Sequence, residues 1–235
     1  MRTIEAQPKL VEQVTKAILE EISGGRLRPG TRIIQEQIAK ELGVSRQPIQ
    51  QALLLLRNQG ILQDAPGRGL LVAPLDLTYV RNMYDMRAVI EGLACRRAAE
   101  LNAKTAKSKG PALIRAGRKA VANNDVPAMV AADMAFHAFI YELSENPLIA
   151  PTMETHWTST QRVMGEVLMR DEQPRNIWDQ HDTMLQAIST GDGETAEALG
   201  RRHISEAADF MIQRLREVNG AGASQSDEVA ATSRA

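Results

Sequence analysis

Residues 35–56 read QEQIAKELGVSRQPIQQALLLL, and two helices meeting at a tight corner account for them. Ile38, Ala39 and Leu42 supply the apolar positions of a short first helix. Gly43 ends it, because a residue without Cβ adopts the left-handed conformation just past a helix at little cost. Ser45 is placed to cap the second helix by accepting a backbone N–H, and Pro48 falls in the first turn, where no intrahelical donor is lost. Ile49, Leu53 and Leu56 form the buried face of that helix, and Gly60 closes it.

Working outward, Leu10, Val14, Ile18 and Ile22 recur at every fourth position and mark one face of a preceding helix that Gly24 and Gly25 terminate. Arg28-Pro29-Gly30 has the order a type II turn demands, proline first and glycine where φ is positive. Downstream, Ile61-Leu62 and Leu70-Leu71-Val72 flank Pro66-Gly67-Arg68-Gly69, the pattern of two short strands joined by a glycine-rich turn. Residues 8–75 are therefore expected to form a winged helix-turn-helix, in which the second helix enters the major groove of double-stranded DNA. Ser45, Arg46, Gln47, Gln50 and Gln51 occupy the early turns that face base edges. Arginine there grips guanine and glutamine grips adenine through paired hydrogen bonds. Arg68, raised between two glycines, suits a minor groove or a phosphate, and Arg28, Arg32 and Lys40 suit phosphates, which set register without reading sequence.

From Asp76 onward the pattern is helix after helix with almost no alternation, so residues 76–218 are expected to form an all-α bundle of six helices. Pro111, Pro127, Pro147 and Pro174 are placed at first turns, Asn146 and Asp192 at caps, and segment 73–78 serves as a hinge. Residues 219–235 are small and polar and are expected to be a disordered tail. The fold class is mainly α.

The bulk composition is compatible with this division. Of the 235 residues, 43% are hydrophobic, enough to bury two cores. The net charge of −1 hides an asymmetry: residues 1–75 carry ten Lys and Arg against seven Asp and Glu, +3, which leaves −4 for the rest. No membrane-length apolar run is evident, and the single cysteine, Cys95, fits a reducing compartment, so a cytoplasmic protein is expected.

All four histidines, His137, His156, His181 and His203, fall in the helical region among apolar residues. Asp133 and His137 are four apart and share a helix face. His181 and His203 lie on apolar stripes. Three imidazoles and a carboxylate are borderline ligands suited to zinc, nickel or a related divalent transition metal. A histidine bonded to a backbone carbonyl inside a core is the plainer alternative for any one of them.

The N-terminal region resembles the GntR family of regulators. The resemblance rests on Arg28-Pro29-Gly30, Ile38-Ala39, Leu42-Gly43-Val44-Ser45-Arg46, Pro48, Ala52-Leu53, Gly60 and Gly67-Arg68-Gly69. Gln50-Gln51 stand where the family usually has Arg-Glu, and Gln35 where it usually has Glu, which implies an operator other than the common one, with adenine or a water opposite Gln50. The helical region is similar to the FCD effector domain of the FadR-like branch through Arg87 to Glu91, Asp133 to His137, Asn146, His181 and His203. That resemblance implies a metal held by Asp133, His137, His181 and His203, and a small carboxylate effector beside it. Arg87 is then an effector clamp; the alternative is an exposed helix pair with Glu91. Tyr84, His156, Trp157 and Arg162 are further candidates to line the effector cavity; core packing is the alternative for His156, and a core or dimer position for Trp157.

The chain is thus expected to be a homodimeric, ligand-responsive DNA-binding repressor and not an enzyme. A regulator that senses the metal itself is the first alternative and a metal-dependent hydrolase the second.

Overall fold

The computed structural model describes residues 8–169 and 177–232, and contacts divide the chain into residues 1–75 and 76–235. In the first unit, α1 (Pro8–Ser23), α2 (Gln35–Leu42) and α3 (Arg46–Asn58) accompany a three-stranded antiparallel sheet. Its strands are β1 (Arg32–Ile33), β2 (Leu62–Asp64) and β3 (Leu70–Val72), in the order β1-β3-β2, with Arg32 opposite Leu71 and Leu62 opposite Val72. Val14, Ile18 and Ile22 of α1 meet Ile49, Leu53 and Leu56 of α3 in one core that Leu62 and Val72 complete. Each such side chain contributes about 1.5–3 kcal/mol on burial. Leu10 and Leu42, expected on apolar faces, are exposed; both stand at helix ends, beyond the reach of the core.

The corner between α2 and α3 follows its residues closely. Gly43 is left-handed at φ 64° and its N–H returns to Ala39 and Lys40 carbonyls. Ser45 occupies the N-cap of α3 in extended conformation, but its side chain makes no capping bond. Pro48, at the third helical position, has no N–H and so removes one of the two donors from which a cap accepts. The Arg28-Pro29-Gly30 turn closes with Thr31 N–H on Arg28 C=O at 2.9 Å, and Gly30 has φ 84°.

The second unit is all helical among the described residues: α4 (Leu77–Ala122), α5 (Val126–Leu143), α6 (Ile149–Leu168), α7 (Ile177–Thr190) and α8 (Gly193–Thr232). α4 is broken at Asn102 (φ −134°, ψ 29°), so it amounts to two helical lengths. Asn102 turns its amide onto Leu143 C=O and Glu145 Oε1, both at 2.9 Å, which compensates the lost helical geometry. Pro111, expected in a first turn, lies inside the second length. Pro127 does open α5, where Asp125 accepts from Ala128 N–H at 3.0 Å. Asn146 and Asp192 accept from Leu148 and Thr195 N–H at 3.1 and 3.0 Å, and Pro174 lies outside the described residues. The backbone of α8 stays helical through Thr232, across most of the stretch expected to be a disordered tail; its several alanines favour helix.

α5 is long and apolar enough to match a membrane span by length and composition. Half of it is buried within the helical unit, and it carries Asp133 and His137 into that interior.

Close helix packing in this unit depends on glycines. A Cβ on Gly117 would lie 1.9 Å from the ring of Trp178, itself buried. Gly117→Ala adds helix propensity worth about 1 kcal/mol, and overpacking against a rigid indole costs about 1–3 kcal/mol. Urea denaturation is expected to show net destabilisation of Gly117→Ala; a raised midpoint would refute the packing described.

Candidate functional site

Four buried side chains from three helices converge in the second unit. Asp133 and His137 come from successive turns of α5, His181 from α7 and His203 from α8. Ligand nitrogens of the three histidines lie within 4.8 Å of one another. Nε2 of His181 is 3.1 Å from Nε2 of His203, and the Asp133 carboxylate is 3.5 Å from His181 Nε2 and 3.8 Å from His137 Nε2.

A second layer orients these rings. Nδ1 of His137 pairs with Glu91 Oε2 at 2.9 Å, and Nδ1 of His203 with Gln180 Oε1 at 2.9 Å, while Gln180 donates onward to Glu206 at 2.9 Å. An Nδ1 proton committed to an oxygen leaves a lone pair on Nε2. Nε2 of His137 is buried without a hydrogen-bond partner. The Nε2 atoms of His181 and His203 face each other, an arrangement that two lone pairs resist unless a proton or cation joins them. Two nitrogens on one tetrahedral zinc, each about 2.0–2.1 Å from it, stand about 3.3 Å apart, close to the separation seen. The donor set therefore fits a divalent ion held by Asp133, His137, His181 and His203. Such an ion would supply Lewis acidity and open coordination positions for an oxygen ligand.

Glu91 is the hub of this layer. It accepts from Arg87 Nε at 3.0 Å and from the Tyr141 hydroxyl, in addition to its bond with His137. Arg87 and Glu91 are only 3% and 2% exposed, so their pairing is not the surface ion pair that spacing alone allowed. Burial pushes the Glu91 carboxyl up, but His137 and Arg87 outweigh it and hold it at about 2. Burial likewise opposes the charge on Arg87, and Glu91 overrides it, so the guanidinium stays protonated. The Arg87 guanidinium lies 5.2 Å from the Trp157 ring centroid, and its Nη2 is buried without a hydrogen-bond partner.

A cavity of about 70 Å³ opens beside the histidines, lined at one pole by Tyr84, Arg87, Asp133, His137 and His203. Burial pushes the Tyr84 hydroxyl up to about 12, so it remains a neutral donor. His156 is half-buried on α6 and is not among the lining residues, and Trp157 packs behind the site against His137 and Tyr141. Glu91, Tyr141 and Gln180 were not singled out as site residues in the sequence. Gln180 adjoins His181 and Glu91 follows Arg87 by one turn, but neither spacing distinguishes a site residue from a surface one.

In the first unit Arg28, Arg32, Lys40, Ser45, Arg46, Gln47, Gln50, Gln51 and Arg68 are all exposed. Arg46, Gln47, Gln50 and Gln51 share the first turns of α3, opposite its buried Ile49, Ala52, Leu53 and Leu56. Arg46 pairs with Glu36 at 2.6 Å, an exposed contact worth about 0–1 kcal/mol and so readily exchanged. Arg32 donates to the Pro66 and Arg68 carbonyls at 3.2 and 2.7 Å. It braces the wing turn that lifts Arg68.

Residues 10–72 match the model of bacterial regulatory proteins of the gntR family, and residues 82–206 match the FCD domain. The HTH-type transcriptional repressor RspR of Escherichia coli is 24% identical over 208 residues, covering 88% of this chain and 91% of RspR. The solved structure of E. coli McbR/YncC superposes with a TM-score of 0.76 at 20% identity, covering 90% of this chain and 99% of that one. A GntR regulator structure from Rhodococcus sp. RHA1 superposes at 0.73 and 20% identity, covering 87% and 98%. These relatives are regulators by name, not enzymes.

Burial, then the neighbouring His137 and Arg87, hold His203 well below its ordinary 6.5; His181 is lowered by burial and by the same neighbours together with His203. Below about pH 6.5 the unfolded chain binds protons that these two folded imidazoles refuse, so stability falls as pH falls. Each contributes a slope of up to about 1.4 kcal/mol per pH unit. Melts of chelator-treated protein between pH 7.5 and 5.5 should show this decline, shallower in His203→Gln; an unchanged slope in that variant would contradict it.

Proposed function

The chain belongs to the gntR family of bacterial regulatory proteins and carries an FCD effector domain, and on that premise we propose that it is a cytoplasmic, homodimeric repressor controlled by a metal-anchored carboxylate. The observation that carries this reading is Glu91, one carboxylate bonded both to Arg87 and to His137. Asp133, His137, His181 and His203 hold a divalent ion, zinc or nickel by the nature of the donors. Arg87 offers its unpartnered Nη2 to an effector carboxylate, with Tyr84 beside it. Glu91 keeps Arg87 charged and turns His137 toward the ion, so the two halves of the effector site are oriented by one group.

On DNA, Arg46, Gln47, Gln50 and Gln51 face base edges while Arg28, Arg32, Lys40 and Arg68 serve the backbone or the minor groove. A twofold pair of such units reads a near-palindromic operator. The pairing surface is the exposed apolar stripe of α4, where Met86, Val89 and Leu93 are 38%, 53% and 42% exposed. An antiparallel second copy centred on Val89 covers Met86 and Leu93 of each chain. Effector binding changes operator affinity only through its differential affinity for the dimer's alternative arrangements.

Mobility shifts on the DNA upstream of its own gene test this reading. Arg46→Ala is expected to weaken binding by about 1–3 kcal/mol, and Val89→Asp to sediment as a monomer with weakened operator binding. Wild-type protein that binds no duplex at low salt would refute the proposal. Switching of the complex by chelation and metal re-addition, with no organic acid present, would favour sensing of the metal itself.

A further inference from the structure

The chemistry of the cavity beyond its polar pole narrows the ligand. Arg87 is the only lysine or arginine among the described residues lining the cavity, and Asp133 is the only carboxylate. Away from them the wall consists of apolar side chains, among them Met129, Met164, Leu168, Ile177, Phe210 and Met211. These come from α5, α6, α7 and α8, so the apolar wall surrounds the space instead of forming one side of it.

Charge on a ligand is accommodated at the polar end of the cavity. Arg87 Nη2 is buried and lacks a hydrogen-bond partner, a donor that a single carboxylate satisfies. A second carboxylate, or a row of hydroxyls, reaching past Tyr84, Arg87 and the histidines would give up water for methionine and phenylalanine and find no donor there in exchange. Apolar carbon placed there replaces water at a net gain, and the three methionines adjust their shape to it. The volume of about 70 Å³ is roughly half that of an apolar cavity that holds benzene, which limits the ligand body to a few carbons.

Resting on the reading of this cavity as an effector site, we infer that its ligand is a short monocarboxylate with an aliphatic body, not a dicarboxylate or a polyhydroxy acid. The carboxylate lies at Arg87 and the hydrocarbon end lies among Met129, Met164 and Phe210.

Calorimetric titration of the purified full-length protein with a matched series tests this: valerate, glutarate (the same chain with a second carboxylate), 1-pentanol (the same chain without a charge) and citrate. Valerate is expected to bind at least tenfold more tightly than glutarate, citrate or pentanol. Arg87→Gln should reduce valerate binding at least tenfold. Met164→Gln, which leaves the buried ion pair intact, should weaken valerate about tenfold while leaving glutarate unaltered. Tighter binding of glutarate or citrate would overturn the inferred ligand class but leave an organic-acid site in place. Failure of every acid to bind would overturn the ligand class and the effector site together.

Discussion

One buried carboxylate constrains the helical unit more than any other group. Glu91 sits in the interior of α4 and is shared by a guanidinium, an imidazole and a phenol. Removing one partner from such a buried ionic cluster typically costs about 3–5 kcal/mol, because the charge left behind has neither water nor a counterion. Arg87 depends on Glu91 for its charge, and His137 depends on it for the ring orientation that leaves Nε2 free. The positions of α4 and α5 are tied to each other through this group, and His181 and His203 meet His137 only while that register holds.

The DNA-facing unit is built on the opposite principle. Its core is entirely aliphatic, with α1, α3 and the sheet closing over it, and its functional side chains stand outside in water. Arg46 and Glu36 make an exposed contact that costs little to break when a phosphate or base edge arrives. Rigidity there comes from the helix beneath the side chains and from Arg32 bracing the wing. In the helical unit rigidity comes from the polar groups themselves. An ion or effector that satisfies the unpartnered nitrogens of His137 and Arg87 would therefore stabilise one arrangement of the bundle over others, as population-shift regulation requires.

The helix-turn-helix was legible because its punctuation is chemically narrow: Gly43, Pro48, Gly67 and Gly69 each suit few backbone conformations, and the aliphatic spacing between them suits one period. Strand β1 was not foreseen, since two residues are too few for alternation to show. The break in α4 was misplaced because proline is a louder signal than asparagine. Pro111 is accommodated inside the helix, whereas Asn102 leaves helical geometry in exchange for bonds to residues some forty positions away. Asp133, His137, His181 and His203 were named from helical spacing and family resemblance, and the fold gathers them. Glu91 was ambiguous for a physical reason. An arginine and a glutamate four apart look the same in sequence whether the helix face is wet or buried, and only the packing of α5 over α4 decides. His156 shares an apolar setting with the other three histidines but lies on α6, away from the cavity wall.

The most direct test is the metal content of protein purified without added metal or chelator, determined by X-ray fluorescence for the wild type and for His181→Ala. A site formed by three imidazoles and Asp133 predicts one divalent transition-metal ion per chain in the wild type and a large loss in the variant. Wild-type protein that stays free of metal even after incubation with zinc or nickel, or a metal content that His181→Ala leaves unchanged, would contradict it.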